Sequence, residues 1–187
     1  EISQKKYNSN HIENRYFRII ADHIKASVML TAEGVTPSNK DKGYVVRRLL
    51  RRAIWYGRNY LFVPDKFSTK LIEPVIKIYN SAYPELAARK QFILDAFQAE
   101  ESKFFQTIDR GKRKMFKMAE EYLEEKTIVN KDLTGIIKTL PKLATGRLFF
   151  KIYETYGLPP DIVREEFESQ GWIFDVDLEK ELLAEKK

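Results

Sequence analysis

The chain has 187 residues, 43% hydrophobic and 32% charged, with a net charge of +6: enough for a buried core in one domain or two small ones. It contains no cysteine, which excludes disulfides, thiolate zinc sites and cysteine nucleophiles and fits a reducing, cytoplasmic setting. No apolar run nears the roughly 20 residues that cross a bilayer, so no membrane partner is expected.

The opening stretch, "EISQKKYNSN", is polar, has no signal-peptide character and lacks an initial Met, so a fragment or processed product is expected. Helical periodicity then dominates the chain. A first helix is expected over Glu13–Glu33, with Phe17, Ile20, Ala21, Ile24, Ser27 and Val28 as its apolar stripe. Asn8, Ser9 or Asn10 can cap it, and Gly34 is placed to stop it. Val35–Lys42 is a polar loop with Pro37, and a second helix covers about 43–61. A third lies near 67–79, bent by Pro74. From Pro84 to about Glu125 a stripe through Phe92, Ala96, Ala99, Phe104 or Phe105, Ile108, Met115 and Tyr122 predicts one long helix, with Gly111 marking a break or a tight contact. Residues 127–146 read as a loop with one short helix at most. Helices at 147–157, 160–170 and 177–186 close the chain. The expected fold is all-α: a helical bundle with one long helix and no substantial sheet. It is taken as one domain, 1–187, with a subdivision at 82/83 between a basic half and the long-helix half.

Charge is concentrated in the second helix and the loop before it. Between Lys40 and Arg58 stand Lys40, Lys42, Arg47, Arg48, Arg51, Arg52 and Arg58 against Asp41 alone, a local excess equal to that of the whole chain. At about 100° per residue, Arg47, Arg58, Arg51, Arg48 and Arg52 share an arc of about 140°, with Tyr44 and Trp55 inside it. Val45, Val46, Leu49, Leu50, Ala53 and Ile54 take the opposite, core side. Two readings are open: an ordinary solvated face, or a surface that meets a phosphate backbone. Three features favour the second. Carboxylates at i,i+4 are missing from this arc; the planar guanidinium suits phosphate oxygens; and two aromatics among the arginines could stack on bases or riboses.

Other chemistry is sparse. His11 and His23, twelve residues apart, would be about 18 Å apart along one helix and cannot share a metal. The adjacent pairs Glu100–Glu101, Glu120–Glu121, Glu124–Glu125 and Glu165–Glu166 read as solvated faces. There is no Gly-rich phosphate loop and no nucleophile elbow. No catalytic residue is expected.

Two blocks carry a family resemblance: "RIIADHIKASVMLTAEGVTPSNKDKGYVVRRLLRRAIWYGR" and "FFKIYETYGLPPDIVREEFESQG". With the long helix between them they resemble alanyl-tRNA synthetase over most of the chain, least at 1–10 and 127–143. The resemblance implies a helical tRNA-recognition domain, excised from a larger synthetase, that follows a class II catalytic domain. Its partner would be the acceptor stem of alanine tRNA, marked by a G·U wobble at the third base pair. Asn39 matches the family asparagine that contacts this pair. Glu154 stands where the family has an aspartate, one methylene shorter, with Asp161 as a nearby carboxylate at a different family position. Trp55-Tyr56 stands where basic residues are more usual. The resemblance also implies sibling catalytic and editing domains in the same chain. ATP with magnesium would serve the first and zinc the second, leaving no cofactor in these residues.

The shallow minor groove of an A-form stem makes this sensible. Guanine offers an N2 amino donor there and pyrimidines an O2 acceptor. In a wobble pair the amino group lacks its usual partner. A carboxylate can accept from it, while an amide can donate or accept. Two other readings remain: a helical scaffold docking an acidic protein or sibling domain without RNA contact, and a complete small enzyme.

Overall fold

The computed structural model describes residues 2–134, 143–144, 148, 151–152, 155 and 158–174. Helix α1, His11–Ala32, opens on Asn10, whose side chain accepts the Ile12 backbone N–H at 2.9 Å. It closes through a left-handed Gly34 (φ 89°), with the Val35 N–H returning to the Leu30 carbonyl. That is the geometry glycine permits after a helix. Ile20, Ile24, Ser27 and Val28 are buried as expected, joined by Thr31 and Ala32, whereas Ala21 faces solvent.

Helix α2, Asp41–Tyr60, packs against α1. Tyr16 of α1 stacks on Tyr56 and Tyr60 of α2, with ring centroids 5.1 and 4.3 Å apart. Beyond it the expected single helix is two: α3, Phe67–Lys70, and α4, Ile72–Tyr79. Pro74 therefore bends nothing. It sits in the first turn of α4, where no intrahelical acceptor is available to an N–H. Gly57 lets α3 approach α2 closely, because a Cβ there would lie 2.5 Å from Phe67 Cζ and 2.8 Å from Val63 Cγ2.

A short α5, Glu85–Ala88, precedes α6, Lys90–Thr134, which runs 45 residues without a break at Gly111. One glycine costs a helix only about 1 kcal/mol, less than the flanking packing returns. The helix also continues through 127–134, where a loop is expected. Residues 135–142 and the expected helix at 177–186 lie outside the described residues, as does most of the one at 147–157.

The chain divides into two compact units, Glu1–Phe105 and Gln106–Lys187, a divide that falls within α6 rather than at 82/83. The first turns of α6 belong with α2 and α3, through Glu100 and Glu101. In the second unit, α7, Pro160–Ser169, buries Ile162, Val163 and Phe167. Phe167 packs edge-on to Phe116 and Trp172. A parallel pairing of β1, Leu143–Ala144, with β2, Ile173–Phe174, is too small to alter the all-α class.

The carboxyls of Glu100 and Glu101 are not solvated, contrary to expectation: they are 2% and 1% exposed. Glu101 accepts a hydrogen bond from the Ser68 hydroxyl and interacts with the Ser68 and Phe67 backbone N–H groups. It thus supplies from α6 the cap that α3 lacks on its own side. Burial nevertheless raises its pKa above the ordinary carboxylate value, opposed by the Ser68 hydroxyl and assisted by the Asp65 charge. The folded state therefore holds this proton more tightly than the unfolded one. The stability it contributes is fully present below the ordinary value and is lost as pH rises through the raised one. Glu101→Gln is expected to abolish that decline. Urea unfolding of both proteins across this range would show two parallel stability curves if the idea is wrong.

Candidate nucleic-acid interface

The loop before α2 is held by its own serine. The Ser38 backbone N–H reaches the Gly43 carbonyl at 3.0 Å. Its hydroxyl donates to the Lys40 carbonyl at 3.0 Å and accepts from the Lys40 N–H at 3.3 Å. Gly43 lies against this turn, and a Cβ there would come within 2.6 Å of the Thr36 carbonyl oxygen and collide with the Ser38 side chain. The result is a tight corner that carries Asn39 outward, exposed, directly ahead of the helix.

The arginine arc behaves differently from its wheel. Arg51 is only 7% exposed, and its Nε lies 2.6 Å from Glu100 Oε1. Arg47, half-buried, places its own Nε 3.2 Å from the same oxygen. The Arg51 guanidinium also lies over the Phe104 ring at 4.9 Å. Arg52 is 5.6 Å from the Tyr56 ring and Arg58 4.9 Å from that of Phe105, both half-buried. Carboxylates missing at i,i+4 are thus replaced by one from α6, 49 residues away from Arg51.

Two expectations are corrected. Trp55 is 1% exposed, so it is a core side chain and offers no open ring to a base. Arg51 is likewise an internal ion-pair partner and not a wet grip on phosphate. The reason is that α6 covers this side of α2, turning most of its circumference inward toward the C-terminal end. Val45, expected in the core, is 47% exposed instead.

What remains on the surface is compact in sequence. Asn39, Lys40, Lys42 and Arg48 are exposed, and Tyr44 and Arg47 half-buried. Arg47 Nη1 donates to Asn39 Oδ1. Asn39 is therefore tied to Arg47, Arg47 to Glu100, and Glu100 to Arg51. Glu154 lies outside the described residues, as does the side chain of Asp161. His11 is exposed, and His23 Nδ1 lies 3.5 Å from Asp22 Oδ2 on the same helix. Among the described residues no helix is long and apolar enough to cross a membrane.

Comparison with known proteins gives matches that run over nearly the whole chain. The family of class II (A) tRNA synthetases matches residues 1–187. An alanine–tRNA ligase of Clostridioides difficile is 37% identical over 182 residues, covering 97% of this chain and 19% of the relative. Alanine–tRNA ligase 1 of Lachnoclostridium phytofermentans is 36% identical over 175 residues, 94% of this chain and 18% of its own. One from Caldicellulosiruptor saccharolyticus is 34% identical across all 187 residues, 20% of its length. The chain thus spans about a fifth of the curated relatives it matches.

Proposed function

The chain belongs to the alanyl-tRNA synthetase family of class II synthetases, and from that premise we propose that it reads the acceptor stem of alanine tRNA at a G·U wobble pair. The observation that carries this is the Asn39 corner: an exposed amide flanked by Lys40, Lys42 and Arg48. The cations hold the phosphate backbone without regard to sequence, and the amide meets a base edge in the minor groove. Glu154, matched by its place in "YETYG", supplies the complementary acceptor. Attachment of alanine to its tRNA, with ATP and magnesium, and the zinc of an editing domain are proposed for a protein of the relatives' length rather than for these residues.

Grip and reading separate experimentally. Binding of a stem hairpin is expected to weaken with salt, by about 0.7–0.9 in log K per phosphate neutralised for each log unit. Asn39→Ala is expected to narrow the preference for a G·U over a G·C stem by about 1–3 kcal/mol while leaving G·C affinity nearly intact. Equal weakening on both stems would remove the reading role. Association with an acidic protein that survives RNase, with no gel shift by tRNA, would favour the scaffold alternative.

A further inference from the structure

We propose that Arg47, clamped by Glu100, is a positioning residue that fixes Asn39 as a hydrogen-bond donor toward the minor groove of the RNA. The proposal rests on the reading just given and adds a direction to it. A guanidinium carries N–H donors and no acceptor, so the Asn39 atom that meets Arg47 Nη1 must be the carbonyl oxygen. The amide plane then turns Nδ2 away from Arg47. Arg47 is held by charge, its Nε 3.2 Å from a Glu100 carboxylate that is buried and hydrogen-bonded by Arg51 Nε at 2.6 Å, though Arg47 Nε itself makes no hydrogen bond to it. The anchor is thus buried, the link half-buried, and the reading group exposed.

A donor is selective. It pairs with a pyrimidine O2 or a ribose 2′-hydroxyl oxygen and is repelled by a guanine N2 amino group, itself a donor. In a wobble pair the uracil is displaced relative to a Watson–Crick pyrimidine, so O2 occupies a different place along the groove. A rigid donor registers that displacement, whereas a freely rotating amide would satisfy either pair by flipping. The guanine amino group must then be met by a separate acceptor, which divides the work between an amide that donates and a carboxylate that accepts.

The experiment measures anisotropy of labelled stem hairpins with G·U or G·C at the third pair, and the Asn39 side-chain amide resonances of the RNA-free protein. Asn39→Asp keeps shape and strengthens the tie to Arg47 but deletes the donor, so it is expected to lose the G·U preference about tenfold, as Asn39→Ala does. Arg47→Lys retains the charge beside Glu100 but lacks the guanidinium N–H that reaches Asn39 Oδ1. It is expected to cost most of the preference, to leave G·C affinity within about threefold, and to shift the Asn39 resonances. Arg47→Lys also serves where Glu100 variants do not fold. A wild-type preference retained in Asn39→Asp would overturn donation, and unmoved Asn39 resonances in Arg47→Lys would overturn the clamp. Equal wild-type affinity for the two stems would overturn the acceptor-stem reading, and the RNA side of this proposal with it.

Discussion

Glu100→Ala is expected to destabilise the first unit by about 3–5 kcal/mol, the range for removing one partner of a buried ion pair. Glu100 Oε1 is shared by Arg47 and Arg51. Truncation removes the ion pair of the Arg51 guanidinium, 7% exposed and stacked on the Phe104 ring, with Glu100. The Arg47→Met/Arg51→Met/Glu100→Leu triple variant should recover most of the loss, since apolar side chains of similar volume replace a buried ionic cluster at little cost. Each tryptophan lies in a different unit, Trp55 in the first and Trp172 in the second, so a Trp172→Phe background makes fluorescence report on the first alone. A loss below about 1 kcal/mol in urea would place this cluster with surface salt bridges.

Trp55→Ala is expected to cost a similar amount, about 3–5 kcal/mol, through the cavity it leaves. Trp55 is 1% exposed among Ala53, Ile54 and Tyr56, all fully buried. Trp55→Phe should recover much of that stability and leave stem affinity unchanged. A residue that stacks on RNA would instead lose about 1–3 kcal/mol of binding for each base released. The pair of variants, assayed for unfolding and for hairpin binding, thus distinguishes a core ring from a stacking ring.

Much of α1 was legible because its signals are local: an asparagine that caps, a glycine that can turn left-handed, and a 3.6-residue stripe between them. The stretch at 36–40 was legible as a motif in a polar loop, with Asn39 picked out by family resemblance. The fate of the arginines was not. A wheel reports which side of a helix a residue occupies, and neighbours within four residues, but not what another helix brings to that side. Glu100 arrives from far along the chain, and adjacent glutamates in an amphipathic stretch look like solvated charge in any local window. The same blindness placed Trp55 on the wet side. At Pro74 the error was of another kind: proline was taken as a kink in one helix when it is equally suited to the first turn of a second. Residues 127–134, with β-branched, Asn and Asp residues, have weak intrinsic helix preference, yet continue α6.

The tie running from Arg51 through Glu100 and Arg47 to Asn39 bears on how this segment would change over time. Arg47, Arg51 and Glu100 serve the integrity of the fold before they serve any RNA, so purifying selection would act on them even in a descendant that had abandoned tRNA. Lys40 and Lys42, both exposed, carry no part of that tie. They would be the first to drift once the nucleic acid was gone. Retained arginines in α2 would therefore record that the helices still pack, and decay of the lysine corner would be the earlier mark of a lost partner.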